Sequence, residues 1–142
     1  MGWLLVASRS ASARPTAVGE GDQMLRAPLL YKIALEILDK ETPLSRKITL
    51  VEVGLAIIII RSETMLRASI SDEALNIPHL KEIERREGVK TPANLGDIKR
   101  WARELLEKIR WAELSDPYNT IYNIGVILAA ISFVQGSSME EA

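Results

Sequence analysis

The 142-residue sequence contains no cysteine and one histidine, His79. Thiolate zinc sites, cysteine nucleophiles and disulfides all need cysteine, and histidine metal centres need more than one imidazole, so these sites are excluded. No glycine-rich phosphate loop follows a strand pattern, because the glycines at positions 88, 96 and 125 are isolated. The sequence therefore predicts no catalytic residue, no metal site and no cofactor, and we expect a protein that is not an enzyme.

The chain also has no strong net charge of either sign. The chain has 18 Lys and Arg against 19 Asp and Glu, which gives a net charge of -1. Non-specific affinity for phosphate comes from accumulated positive charge, so a generally cationic nucleic-acid coat is excluded and any nucleic-acid contact must use a local patch. Asn and Gln are rare, at 4 and 2 residues, beside 16 Ile and 11 Arg. This balance is typical of heat-adapted proteins and indicates a thermophilic source.

The rest of the composition, 47% hydrophobic and 26% charged, is typical of a globular chain. A chain of this length buries roughly 70% of the surface that its unfolded form exposes, which is enough for one domain. Residues 1–23 differ, because they are rich in Ser, Ala and Gly and carry only a short apolar run at 3–7. A signal peptide needs about 7 to 15 apolar residues behind a basic start. We therefore interpret 1–23 as a disordered tail, or as an upstream extension with the start at Met24, and 24–142 as one helical domain in the cytoplasm.

From residue 24 onward the apolar residues recur with helical spacing, and no alternating run is long enough for a strand. The predicted fold is all-α, a compact bundle of about five helices. The first helix is predicted to begin at Pro28 and to run to about Lys40. Tyr31 and Leu35 widen its apolar arc past half of the circumference, so this helix is either central in the core or covered by a partner.

The second helix is predicted from a capping box. Thr49 and Glu52 have the Ser/Thr-x-x-Glu spacing in which each side chain satisfies a free backbone N–H at a helix start. The apolar run that follows ends at Arg61 and is too short for a bilayer, which needs about 20 residues. The four isoleucines at 57–60 are also compatible with a buried strand, but the cap favours a buried helix.

Two more helices follow. A short helix is predicted to begin at Ser71, to restart at Pro78 and to stop at Gly88, since acidic residues favour the first turn and glycine favours the end. After a loop at 88–96, a fourth helix is predicted over 97–114. Its apolar residues lie on one helical face, namely Ile98, Trp101, Ala102, Leu105, Leu106, Ile109 and Ala112.

The last helix is predicted over 118–135 and carries no charge. The uncharged run extends over 117–139, which is long enough in principle to span a bilayer. Its polar side chains, its acidic flanks and the lack of adjacent Lys or Arg favour a core or interface helix instead. A membrane-associated or filament-forming structural protein, built on this helix and on residues 50–60, is the alternative.

His79 and three carboxylate pairs are the side chains that an enzyme would use. A catalytic His79 needs a facing acid and a nucleophile, and we interpret this residue as structural or as part of the surface. The Glu-x-x-His motifs of di-iron bundles are missing. We therefore expect solvated helix faces at the three pairs, which are Asp72 with Glu73, Glu84 with Glu87, and Glu104 with Glu107.

Trp111 does not fit the apolar stripe of the fourth predicted helix. At about 100° per residue it lies at least about 140° from the centre of that stripe, so we expect it to point away from the core. Three interpretations are open. Trp111 packs on the preceding loop or the tail, or it forms a protein interface worth about 2 kcal/mol or more, or it stacks a base of single-stranded nucleic acid at about 1–3 kcal/mol.

The segment 55–75, LAIIIIRSETMLRASISDEAL, resembles the small helical subunit of archaeal type I-A CRISPR effector complexes. The resemblance lies in an apolar helix that runs into Ser62, Glu63, Thr64 and Arg67 and is followed by a second helix start. It covers 21 of the 142 residues. It implies a subunit of an antiviral defence complex, without enzymatic activity, that packs side by side along guide RNA and target strand.

These observations predict a non-enzymatic assembly subunit of a CRISPR-type ribonucleoprotein complex. We expect it to contact other protein subunits through Trp111, Tyr31 and Leu35, and a second copy of the chain is also open as a partner, whereas a membrane is not expected. RNA or single-stranded DNA is expected to bind the arginines beside Trp111. Two arginines of a second basic cluster are expected to contribute less, because interspersed glutamates reduce the net positive charge of that cluster. These residues are Arg100, Arg103 and Arg110, with Arg85 and Arg86.

Overall fold

A computed structural model describes residues 29–64, 66 and 70–141, with side chains up to residue 133. Within these residues the chain forms five α-helices, one 3₁₀ turn and no strand, which confirms the predicted all-α bundle. The helices are α1 (Leu29–Leu38), α2 (Leu44–Arg61), α3 (Pro78–Glu87), α4 (Leu95–Arg110) and α5 (Pro117–Glu141). The predictions for residues 1–23, for a start at Met24, for Pro28 and for Arg67 lie outside the described residues.

α2 and α5 lie at the centre of the bundle. α5 packs against α1, α2 and α3, and α2 also packs against α1 and α4. α1 and α5 run antiparallel, because Ile37 approaches Gly125 whereas Ile33 and Leu128 both approach Gly54. A Cβ atom at Gly125 would lie 2.8 Å from Ile37 Cγ2, and one at Gly54 would lie 2.6 Å from Leu128 Cδ1. The two glycines therefore let α5 approach both neighbours closely.

The core is aliphatic around one tryptophan. Trp101 of α4 is fully buried, and every described helix contributes an apolar face to the same cluster. Burial of each aliphatic side chain of this core contributes about 1.5–3 kcal/mol to the stability of the fold. The most deeply buried members include Leu30, Ile37, Leu55, Ile58, Ile83, Leu105, Ile124 and Leu128.

The start of α2 differs from the prediction. The helix begins at Leu44, directly after Pro43, and the Thr49 hydroxyl donates to the Ser45 carbonyl 3.2 Å away inside the helix. The predicted capping box is therefore wrong. Proline fits a helix start, and here it begins the helix before Thr49 is reached. The isoleucines at 57–60 lie in this helix, as the sequence predicts.

The middle of the chain follows the prediction with shifted boundaries. Asp72–Leu75 is a 3₁₀ turn, α3 begins at Pro78, and Gly88 ends it with a φ of 74°. Glycine is the residue that most readily adopts this left-handed conformation. α4 begins before the predicted boundary, because Asn94 caps it by accepting a hydrogen bond of 3.2 Å from the Asp97 N–H.

α4 ends at Arg110, short of the predicted boundary at Leu114. Ala112 is exposed and has a φ of 53°. Its place on the predicted apolar face is therefore wrong, since a left-handed residue cannot continue a right-handed helix. The centre of that face is confirmed, because Trp101 and Leu105 are fully buried.

The two terminal helices also differ in length from the prediction. α1 ends at Leu38 rather than near Lys40. α5 begins at Pro117, where Asp116 Oδ1 accepts the Asn119 N–H at 3.3 Å, and it extends beyond the predicted end at residue 135. None of the described helices combines the length and the apolar character that crossing a bilayer requires.

Candidate functional site

Trp111 directly follows α4 and is 71% exposed, as its helical position predicts. Its indole Nε1 donates a hydrogen bond of 2.8 Å to Glu107 Oε1, and its backbone N–H donates to the Glu107 carbonyl. Arg110 lies 3.8 Å from the second oxygen of the same carboxylate. One glutamate therefore holds both side chains at the end of the helix. We call Glu107, Arg110 and Trp111 the Trp111 surface.

This exposure excludes one interpretation of Trp111, namely packing on the preceding loop. A ring that is 71% exposed does not pack on the loop that precedes its helix. Packing on residues 1–23 lies outside the described residues. The described residues therefore leave the Trp111 side chain largely uncovered.

Carboxylates pair with most of the arginines that the sequence assigns to phosphate binding. On α4, Arg100 lies 3.5 Å from Glu104 and 3.9 Å from Asp97. The exposed side chain of Arg103 forms no ion pair or hydrogen bond with another described residue. Arg110 is also paired. Of the three predicted arginines on α4, Arg103 is therefore the one that has no ion-pair partner among the described residues.

The second basic cluster is paired in the same way. Arg85 and Arg86 both bind Glu82, and Arg86 also lies 3.5 Å from Asp116. Hydrogen bonds from Arg85 and Arg86 lower the pKa of Glu82 to about 2, so this carboxylate stays charged near neutral pH. Between the described residues, no ion pair or hydrogen bond joins this cluster to the arginines of α4. The five predicted arginines therefore do not form one linked site.

Tyr31 and Leu35 are both exposed on α1, at 39% and 49%. The wide apolar arc of this helix is thus divided between core and surface, and the prediction that the helix is central in the core is wrong. The buried part of the arc contains Leu30, Ile33, Ala34 and Ile37.

The exposed aromatic side chains of α5 are the feature that the sequence analysis missed. Tyr118, Tyr122 and Phe133 are each more than half exposed. An apolar helix without charge shows no obvious solvent side, so its pattern does not reveal them. The spacing of the three aromatics is the signal that could have found them, because it places them within about 60° of one another on a helix.

His79 is half-buried at the contact between α3 and α5. Its Nδ1 donates to Asn123 Oδ1 at 2.8 Å, and Asn123 Nδ2 donates to Asn119 Oδ1 at 2.9 Å. The imidazole also meets Tyr122 edge to face, with ring centroids 6.3 Å apart. Among the described residues, the hydrogen-bond partner of His79 is therefore an amide, whereas a catalytic His79 would need an acid.

Glu87 is buried, which contradicts the solvated face predicted for the Glu84 and Glu87 pair. Its Oε1 accepts the Ser115 N–H at 3.0 Å, and its Oε2 accepts the hydroxyls of Ser115 and Thr120 at 3.0 and 2.6 Å. Burial raises the pKa of Glu87, but the hydrogen bonds from Thr120 and Ser115 outweigh it and hold the pKa below the usual value. This carboxylate ties α3 to the start of α5.

A shallow depression at the N-terminus of α4 is lined by Asp72, Asn94, Leu95 and Gly96. Its polar groups already cap the helix, because Asp72 Oδ1 accepts the Leu95 N–H at 3.0 Å. In the part of the chain that the structure describes, no group of three or more side chains could hold a metal ion. The depression therefore offers capping contacts rather than a ligand site.

No protein-family model, curated protein or solved structure matches this chain. Two exposed aromatic features stand out among the described residues, namely the Trp111 surface and the aromatic side of α5.

Proposed function

We propose that the protein is a non-catalytic assembly subunit that binds a neighbouring protein through the Trp111 surface. The observation that carries this proposal is a tryptophan that is 71% exposed and held in one orientation by Glu107. Tryptophan and arginine are among the residues most enriched at interface hot spots. Because this hydrogen bond already restricts the ring, the Trp111 side chain loses little conformational entropy when a partner covers it.

Hydrogen bonding favours burial of this ring by a protein. Its Nε1 is satisfied by Glu107 at 2.8 Å, so a partner that covers the ring leaves no unpaired N–H. Glu107 and Arg110 supply an acceptor and donors beside the ring, as the polar rim of an interface does. A nucleic-acid base could stack on the same ring, but the paired charges of Glu107 and Arg110 leave no net positive charge beside it for the phosphate. Protein is therefore the favoured partner at this surface.

The nucleic-acid part of the proposal depends on Arg103 and on the CRISPR-subunit resemblance of residues 55–75. Arg103 lies one turn before Glu107 along α4, and its guanidinium is unpaired among the described residues. Counterion release on phosphate binding requires cations that are not already neutralised. We therefore expect Arg103 to contact the backbone of RNA or single-stranded DNA in a ribonucleoprotein complex.

Purification of the tagged full chain from its native host, at moderate salt and without crosslinking, tests this proposal. Several larger protein subunits together with a short RNA would support a CRISPR-type effector complex. Protein partners without nucleic acid would support the assembly role and remove the ribonucleoprotein part. A chain that purifies alone would refute the assembly role.

Trp111→Ala locates the interface. We expect it to weaken partner retention at least about tenfold, as loss of a hot-spot tryptophan does, while the melting temperature stays unchanged because the ring is exposed. Ile60→Ala is the matched control, since Ile60 is 78% exposed but lies on α2, outside both the Trp111 surface and the exposed aromatics of α5. Equal retention by wild type and Trp111→Ala would refute the assignment of the Trp111 surface.

A further inference from the structure

One side of α5 presents an exposed aromatic stripe. Tyr118, Tyr122 and Phe133 are 71%, 54% and 68% exposed, and Val126 and Ala129 are half-buried between them. These five residues fall within about 80° of one another on a helix, so they form one continuous line along the surface. We call this line the α5 stripe.

α1 widens this apolar surface. Tyr31, Leu35 and Leu38 follow one another at helical spacing, and Leu38 Cδ2 would lie 3.0 Å from a Cβ at Gly125. Gly125 itself lies one turn from Tyr122 along α5. The exposed side chains of α1 therefore border the α5 stripe, and together the two form what we call the α1/α5 face.

The chemistry of the α5 stripe argues against a membrane or a charged partner. No charged residue occurs between positions 117 and 139. A helix that lies on a bilayer surface carries Lys or Arg along its polar side, and selective binding to a charged protein uses charge complementarity. Two copies of the uncharged α5 stripe can meet without placing like charges opposite each other. The absence of charge therefore favours a second copy of this chain.

The spacing of the α5 stripe fits such a pairing. Tyr118 and Phe133 lie at equal distances on either side of the midpoint between Gly125 and Val126, and so do Tyr122 and Ala129. If α5 meets α5 of a second copy antiparallel about this midpoint, Tyr118 faces Phe133 of the second copy. Tyr122 then faces Ala129 of the second copy, so each bulky ring meets either an aromatic partner or a small residue. Interfaces with two-fold symmetry need this self-complementarity.

The exposed apolar area is at the upper end of what a monomer leaves uncovered, and it supplies most of what a dimer interface buries. Aromatic side chains cover about 150–250 Å² each, so at the observed exposures the α1/α5 face presents on the order of 600 Å² of apolar surface. The largest apolar patch on a typical monomer is about 300–600 Å². A standard interface buries about 800 Å² on each partner. We propose that the α1/α5 face is the two-fold interface of a homodimer, with the axis beside Val126.

Sedimentation velocity of the full chain over a range of concentrations tests the dimer. We expect a reversible dimer for the wild type and a monomer for the double variant Tyr118→Glu and Phe133→Glu, because the added carboxylates would face one another across the axis. Val53→Glu and Ile60→Glu together form the matched control, since both residues are exposed apolar residues of α2. Circular dichroism shows whether each variant is folded. A monomeric wild type, or a dimer that survives the α5 double variant, would overturn the proposal.

Cysteine crosslinking tests the position of the axis, because the chain has no native cysteine. Under mild oxidation Val126→Cys is expected to form a disulfide-linked dimer, whereas Ile60→Cys stays monomeric. A mixture of Tyr118→Cys and Phe133→Cys, tagged at different sizes, is expected to give mainly the mixed dimer. Predominant self-crosslinking of Tyr118→Cys would contradict the antiparallel arrangement.

Trp111→Ala is expected to leave the dimer intact, because Trp111 lies outside the α1/α5 face. Failure of the dimer and failure of the proposed function are therefore distinguishable.

Discussion

The Thr120 hydroxyl donates a hydrogen bond of 2.6 Å to Glu87 Oε2, and both side chains are buried. The hydroxyl and the N–H of Ser115 donate to the same carboxylate. Three hydrogen bonds stabilise the charged form, so the pKa of Glu87 lies below the usual value although burial raises it. α3 is thus held to the start of α5 by a charged group inside the protein.

We expect Glu87→Gln to lower the free energy of unfolding by about 1–3 kcal/mol near neutral pH, because the amide leaves part of this buried donor set unpaired. The lowered pKa sets the direction of the pH dependence. The contribution of Glu87 is complete above the usual glutamate pKa of about 4.3 and is lost as the pH falls through the lowered value. Urea unfolding should therefore show a smaller difference in the free energy of unfolding between wild type and Glu87→Gln at strongly acidic pH than at neutral pH.

Glu104→Gln is the control for this prediction. Its carboxylate is exposed and lies 3.5 Å from Arg100, so its loss is expected to change the free energy of unfolding by less than about 0.5 kcal/mol. Equal losses in the two variants would contradict a special role for Glu87. So would a Glu87→Gln effect that does not change with pH.

Periodicity alone is enough to predict the orientation of α4. Trp101 and Leu105 recur with the helical period and are buried, while Trp111 falls off that period and is exposed. The start of α2 is harder to predict, because Pro43 and Thr49 are both favourable at a helix start and the local pattern does not rank them.

Tertiary contacts decide the features that the sequence does not reveal. Glu87 is buried by Ser115 and Thr120, which lie 28 and 33 residues further along the chain. The solvent side of α5 depends on where α1 and α3 pack, since a helix that is apolar on all sides favours no orientation. The pairing of Arg86 with Asp116 likewise joins distant segments. Local spacing carries no information about such contacts.

We expect Gly125→Ala to destabilise the contact between α1 and α5. The new Cβ would lie 2.8 Å from Ile37 Cγ2 and 3.0 Å from Leu38 Cδ2, closer than carbon atoms pack. Overpacking costs about 1–3 kcal/mol, and the higher helix propensity of alanine recovers about 1 kcal/mol of it. Urea unfolding should show a net loss of about 1 kcal/mol in the free energy of unfolding.

Ile37→Leu provides the matched second change, because leucine lacks the Cγ2 branch that the new Cβ would meet. We expect the double variant to be more stable than the sum of the single effects by about 0.5–1 kcal/mol. Strict additivity of Gly125→Ala and Ile37→Leu would place the strain elsewhere. A Gly125→Ala variant that is more stable than wild type would refute the close contact itself.

Substitutions at Trp101 are expected to separate the effect of volume from that of hydrogen bonding in the core. Trp101 is fully buried, and its Nε1 has no hydrogen-bond partner among the described atoms. Trp101→Ala is expected to cost about 3–5 kcal/mol in the free energy of unfolding because it leaves a large cavity. Trp101→Phe keeps most of the ring and removes the unpaired N–H, so we expect a loss below about 1.5 kcal/mol. Similar losses for both variants in urea unfolding would contradict this account.

Arg103 is the arginine for which we expect the largest effect on nucleic-acid binding, because its charge is unpaired among the described residues. One phosphate contact to a single strand contributes about 0.7 to the slope of log K against log salt. Arg103→Gln is therefore expected to reduce the slope for single-stranded RNA by about 0.7, measured by fluorescence anisotropy at several salt concentrations. Arg85→Gln is the control, since Glu82 already holds that cation, and its slope should equal that of wild type. Equal reductions in both variants would mean that the α3 ion pairs open on binding, and unchanged slopes in both would remove Arg103 as a phosphate contact.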